Sequence, residues 1–190
     1  MLETICHKDF IDLSATDKRY YYKRWEYMGL VAEFLSSKVG SLNTVLELGP
    51  YLFSIVKGAT TMGLDINVDP DRKAYADKAV KYDVTHDAGT APWPFSNKSF
   101  DLFIGLQVLE HLKDKSLAFS EIRRIADYAA ITLPYNWNSL PKEDCHRNIN
   151  EQTVKDWCGV DPVFSKIIGE IGKAPRLFLF YDFTEVGSVK

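Results

Sequence analysis

The side chains best suited to chemistry begin with Glu47 and Gly49, in the run Thr44-Val45-Leu46-Glu47-Leu48-Gly49-Pro50. A short apolar segment ending in an acid and a glycine reads as a buried parallel strand that runs into a turn. Glycine tolerates positive φ there and lets backbone approach a ligand closely. A second apolar segment, Met62-Gly63-Leu64, ends at Asp65, 18 positions after Glu47. Strand, turn, strand, acid is how α/β folds hold an adenosine, the acid accepting from the ribose hydroxyls. Asp69 and Pro70 already supply a helix start nearby, which leaves Asp65 available to a ligand. His111 and His146 are the side chains matched to moving a proton near neutral pH. The set His111, Cys145, His146 and Cys158 invites a metal reading, but no paired C-x-x-C occurs, and no metal is expected.

Periodicity supplies the elements that must carry these residues. Residues 1–15 are mixed and read as irregular, a lid or a loose end. Trp25, Met28, Leu30, Val31, Phe34 and Leu35 recur at helical spacing, which predicts a helix from Thr16 to Lys38 with Gly40 as its stop. Strands are expected at Thr44–Leu48, Thr61–Asp65 and Ala79–Tyr82, with a helix at Pro70–Lys78 before the third. The fourth strand starts at Asp101, and Glu110 and His111 are expected to begin the helix after it. Ser116–Asp127 carries the buried stripe Leu117, Phe119, Ile122 and Ile125. Strand five follows at Tyr128–Leu133, then a helix ending at Cys158 with Asn148 and Glu151 as its capping box. Val160–Ile171 holds strand six or a helix plus strand, and Arg176–Phe183 is the final strand.

Two stretches together resemble the class I S-adenosylmethionine (SAM)-dependent methyltransferases. One is L-E-L-G-P-Y followed by the acid at Asp65. The other is P-F-x-x-x-S-F-D, an apolar strand, and then V-L-E-H-L from Val108 to Leu112. The likeness spans roughly residues 42–135 by motif. The family loop usually carries more glycine; this chain keeps Glu47 and Gly49 but has Pro50 and Tyr51 where another glycine often stands. The resemblance implies an α/β, Rossmann-like, seven-stranded, mostly parallel sheet with helices on both faces and the last strand antiparallel. It implies a single domain over 1–190, with residues 1–40 as an N-terminal helical cover. It implies SAM as cofactor, held by Glu47, Gly49, Asp65 and the adjacent Ile66. Tyr51 would lie beside the adenosine or the sulfonium, Asp83 would accept from the adenine amino group, and Leu106 and Gln107 would flank the sulfonium. Methyl transfer needs in-line placement of the acceptor and, for a hydroxyl, a base; His111 and His146 are the two candidates. The expected reaction is methylation of a small molecule, a hydroxyl of a sugar, glycan precursor or secondary metabolite. The alternative is a SAM-fold binding or regulatory protein without turnover, which the thinned glycine loop leaves open.

Composition bounds the rest. The chain has 190 residues, enough for one domain with a real core. Its net charge of −3 gives no general pull toward nucleic acid or anionic membrane. The basic-aromatic stretch Lys18–Trp25 therefore reads as an amphipathic helix with a solvated basic face, or as part of the cofactor's cover. Its apolar runs are too short to span a bilayer, and its start lacks the regions of a signal peptide. Three cysteines suit a reducing cytoplasm better than a disulfide framework. A P-loop is excluded by the absence of G-x-x-x-x-G-K-[ST], and a nicotinamide site is disfavoured by a turn that lacks G-x-G-x-x-G. Pro134-Tyr135 stands after strand five rather than four, which argues against a nucleic-acid base methyltransferase. The expected partners are a small-molecule acceptor and, as the assembly to test, a second copy of the chain.

Overall fold

The computed structural model describes residues 2–50, 52–57, 60–65, 78–81, 92–137, 144–169 and 174–184, and only the backbone of 60–65 and 78–81. Its strands are β1 (Thr44–Leu48), β2 (Thr60–Asp65), β3 (Lys78–Lys81), β4 (Phe100–Leu106), β5 (Ala126–Pro134), β6 (Phe164–Ile168) and β7 (Arg176–Asp182). They join in one sheet in the order β3-β2-β1-β4-β5-β7-β6. The first five run parallel, while β7 is antiparallel to both β5 and β6. Register sets which residues share an edge. Asp65 lies beside Lys81, Leu48 between Leu64 and Gly105, Leu106 beside Thr132, and Pro134 beside Arg176.

Central strands buried on both faces are apolar throughout, and their alternation decides which helix each residue meets. Leu46, Leu48, Phe103, Leu179 and Tyr181 face one core. That core is completed by α2 (Lys115–Ile125) and α3 (Glu151–Cys158), through Phe119, Ile122, Ile125 and Val154. Val45, Leu102, Ile104 and Phe178 face the other core, covered by α1 (Ala15–Lys38) through Val31 and Leu35. Gly105 sits where any Cβ would come within 2.9 Å of the Phe103 ring. Its bare backbone makes room for that ring inside the first core.

The N-terminal segment is not a loose end. Leu2, Ile5 and Phe10 are buried in the α1-side core, and Thr4 bridges Val56 in antiparallel fashion. The Ile5 amide donates to the Ile55 carbonyl at 3.0 Å, and the Lys57 amide to Glu3 at 2.9 Å. Three apolar side chains gain more from that core than the segment loses in chain freedom.

Two local expectations also change. Glu110 and His111 do not open a long helix; they form a single 3-10 turn, Leu109–His111. Helix α2 begins only at Lys115, where Asp114 accepts from the Leu117 amide and caps it. The cap of α3 is Asn150, whose side chain accepts from the Thr153 amide, and not Asn148, which sits at φ +56. The expected helix at Pro70–Lys78 falls almost wholly outside the described residues.

Candidate functional site

Glu47 points to the α1 side of β1, where it is almost fully buried. Its carboxylate accepts from the Ile55 amide at 3.1 Å and is hydrogen-bonded to Ser54. Burial pushes this carboxyl up to about 7, against the opposing pull of those two hydrogen bonds. The Tyr21 hydroxyl, from α1, accepts from the Leu52 and Phe53 amides at 2.9 Å each. Tyr21 is itself fixed by stacking on Phe10, with centroids 4.4 Å apart and planes 9° from parallel. Three consecutive-loop amides are thus held from beneath by two side chains. Gly49 leaves β1 at φ +67, and a Cβ there would touch Val108 Cγ2 at 3.4 Å. Only glycine takes this turn freely while staying so near the end of β4.

The S-F-D motif has a mechanical role. Asp101 accepts from the Asn43 and Thr44 amides at 2.6 and 3.0 Å, and its own amide donates to the Thr44 hydroxyl. These bonds lock the start of β1 to the start of β4. The preceding Trp93–Asn97 turn is held by Arg124, which donates to the Trp93 and Phe95 carbonyls and pairs with Glu121 at 2.6 Å. Glu121 in turn accepts from the Trp93 amide.

At its other end β4 turns sharply. Gln107 takes φ +56, and its amide donates to the Thr132 carbonyl at 2.9 Å. The 3-10 turn that follows buries Glu110, whose Oε2 has no hydrogen-bond partner among the described residues. Burial pushes its carboxyl up to about 7, opposed by a backbone hydrogen bond and by the charges of Arg176 and Lys115. Arg176 opens β7 with its guanidinium 4.8 Å from the Tyr27 ring and 5.4 Å from the Trp137 ring. Its buried Nε is also without a partner among the described residues, and burial lowers its affinity for the proton. A second 3-10 turn, Asp144–His146, brings His146 to 5.0 Å from His111, ring centre to ring centre. Cys145 stands between them, with Sγ 3.6 Å from His111 Nδ1 and 3.9 Å from His146 Nδ1.

The sequence-predicted residues fall into three groups. Gly49, Asp65, Leu106 and Gln107 lie at the carboxyl ends of β1, β2 and β4. The strand order reverses between β1 and β4, and such a switch point opens the crevice in which α/β sheets bind ligands. Glu47 lies beneath the turn and shapes it. His111 and His146 are brought together from two separate turns, whereas Cys158 is buried in the α2-side core. Tyr51, Ile66 and Asp83 lie outside the described residues, as does the side chain of Asp65. Sequence reasoning passed over Tyr21, Glu110 and Arg176. The last was legible as the one cation opening an apolar strand, and Tyr21 as part of the aromatic run before Trp25.

A family model described as a methyltransferase domain matches residues 47–128. The match spans 82 of the 190 residues, from β1 into β5, the part of the chain that resembles the class I SAM-dependent methyltransferases, whose cofactor is SAM. The structure resembles the N-methyltransferase NodS from Bradyrhizobium japonicum WM9, solved with S-adenosylhomocysteine. The TM-score is 0.59 at 15% identity, over 93% of this chain and 91% of that one. It also resembles a SAM-dependent methyltransferase from Aquifex aeolicus, with TM-score 0.58 and 15% identity over 89% and 98% of the chains. A third likeness is to a methyltransferase crystallised with the Haloferax volcanii activator Trm112, with TM-score 0.66 and 16% identity over 89% and 94%. No match to a curated protein is found. At these identities the structures share the α/β, Rossmann-like fold with a mixed sheet. No helix among the described residues is long and apolar enough to cross a membrane.

The residues present fit the cofactor. The turn after Gly49 has its Leu52, Phe53 and Ile55 amides fixed from below, so its outer face is held open at the switch point. The cofactor supplies an electrophilic methyl group with its own leaving group. The chain's part is to hold the turn, place the acceptor and manage the acceptor's proton.

Proposed function

We propose that this domain transfers the methyl group to a hydroxyl of a small polar acceptor, such as a sugar or glycan precursor. The observation that carries this is the convergence of His111 and His146 beside the end of β4. A hydroxyl must lose its proton during or after attack, and an imidazole is the matched acceptor near neutral pH. Glu110 Oε2 and Arg176 Nε, both buried and without a hydrogen-bond partner among the described residues, lie at the same end of the sheet.

On the cofactor side, Asp65 binds the ribose hydroxyls and Asp83 the adenine amino group. Gly49, Tyr51, Ile66, Leu106 and Gln107 line the remainder, and Glu47 acts through the turn that it supports. Replacing Asp65 by Ala is expected to weaken S-adenosylhomocysteine by about 1–3 kcal/mol, the scale for orphaned hydrogen-bond partners. Calorimetric titration measures this, and an unchanged affinity removes Asp65 from the site.

The activity test is transfer of labelled methyl groups to a panel of nucleotide sugars, glycan fragments and primary amines. Labelling of a hydroxyl, reduced in His111→Ala or His146→Ala, is the expected result. Labelling confined to amines would move the reading to nitrogen, as the name of the N-methyltransferase NodS has it for that protein. Cofactor binding with no transfer to any acceptor would favour a binding or regulatory protein instead.

A further inference from the structure

The acceptor end of the sheet carries a donor set that methyl transfer itself does not require. His111, Cys145 and His146 come from two separate 3-10 turns, yet one ligand atom from each lies within 4.8 Å of the others. We propose that these three side chains bind a borderline-soft divalent transition ion, with zinc the best match. The proposal rests on the reading above only for its location; with an ion bound, His111 and His146 are its ligands and do not themselves take the acceptor's proton, so ion binding and the base role are alternatives that the test separates.

The geometry argues for it first. A tetrahedral ion with sulfur at about 2.3 Å and imidazole nitrogen at about 2.0–2.1 Å holds S and N roughly 3.6 Å apart. The separations found are 3.6 Å for Cys145–His111 and 3.9 Å for Cys145–His146. The donor chemistry argues second. One thiolate and two imidazoles favour zinc, or cobalt in its place, over magnesium or calcium, which take oxygen. The surroundings argue third. The His146 ring lies 5.5 Å from Trp137, whose indole N–H is anchored to the Pro175 carbonyl at 2.6 Å. One ligand is therefore held against a rigid wall, and the ion would not have to order it from solvent. The described residues supply three donors, and zinc sites that do chemistry use three protein ligands with water or substrate in the fourth position. The sequence offered these three only together with Cys158 and without a paired C-x-x-C, because the pairing is made by two turns 34 residues apart.

Cobalt(II) is the probe. Whole protein, stripped with chelator, is titrated with cobalt chloride and followed by visible and near-ultraviolet absorption. One equivalent should give tetrahedral ligand-field bands and a thiolate-to-cobalt charge-transfer band, both abolished by added zinc. Cys145→Ser should lose the charge-transfer band and weaken cobalt about tenfold or more, and His111→Ala and His146→Ala should weaken it similarly. Cys158→Ser and Cys6→Ser should keep the full spectrum. X-ray absorption on the zinc-loaded wild-type protein gives a reading that needs no variant: one sulfur and two imidazole nitrogens in the first shell. No cobalt bound, a charge-transfer band that survives Cys145→Ser, or an all-oxygen shell would overturn the site and leave a plain thiol–imidazole contact. S-adenosylhomocysteine affinity and methyl transfer are measured on the same samples. An intact cobalt spectrum without transfer would sink the hydroxyl methylation and leave the metal site standing; the reverse pattern would do the opposite.

Discussion

Glu47 shows how one buried acid can hold a turn from beneath. Its carboxyl titrates near 7 in the folded protein, against 4.5 for an ordinary glutamate. Between those values the folded state binds the proton that the unfolded state releases. Stability is therefore fully present below about pH 4.5, falls as pH rises toward 7, and flattens above it. The loss is of order ~3 kcal/mol for a shift of this size. Glu47→Gln keeps an oxygen for the Ile55 amide but removes the titration. Urea unfolding at a series of pH values should show that slope in the wild type and not in the variant; parallel profiles would mean Glu47 is already ionised inside. Tyr21 gives a second test at this scale. Tyr21→Phe leaves the Leu52 and Phe53 amides without their acceptor. It should cost about 1–3 kcal/mol of stability and weaken S-adenosylhomocysteine as the turn loosens. Loss of stability with unchanged affinity would show that the turn keeps its shape unaided.

At the level of elements, legibility followed how local the cause was. Strands β1, β4, β5 and β7 were readable because their apolar runs stand alone between turn residues. Asp65 and Gly49 were placed at strand ends for the same reason. The segment 2–10 was not readable, since Leu2, Ile5 and Phe10 are buried only by elements far along the chain. The turn at Glu110 and His111 was taken for a helix because nothing in V-L-E-H-L announces that Asp114 caps the next one. The pairing of His111 with Cys145 and His146 lay beyond any spacing rule. The α3 cap allows a direct check. Asn150→Ala should destabilise by about 1 kcal/mol, with Asn150→Asp close to neutral. Chemical denaturation reads both, and a silent Asn150→Ala would mean that α3 is held by its packing on α2 alone.

For the molecule as a whole, the sheet is strongest at its middle. Strands β1, β4 and β5 are paired on both edges and covered on both faces. Strand β6 lies at an edge, with Ser165, Lys166 and Ile167 exposed. Amide hydrogen exchange should therefore be slowest in β4 and β5, opening only with global unfolding, and much faster in β6. Equal protection across the sheet would show that β6 is covered in solution, as by a second copy of the chain. The basic-aromatic stretch of α1 is also accounted for at this scale. Tyr21 is used inside and Arg24 lies over the Tyr20 ring at 4.0 Å, while Arg19, Tyr22 and Lys23 stay exposed.

The position of β7 has a consequence in time. Among the described strands it comes last in sequence, yet it lies between β5 and β6. During synthesis β5 emerges with one edge unpaired, and β6 emerges with no neighbour to join. Both wait for Arg176–Asp182 to slide between them. Until then an apolar central strand presents a row of open amides and carbonyls, the template on which nascent chains pair with one another. The nascent chain is thus most exposed to aggregation just before its final strand is made.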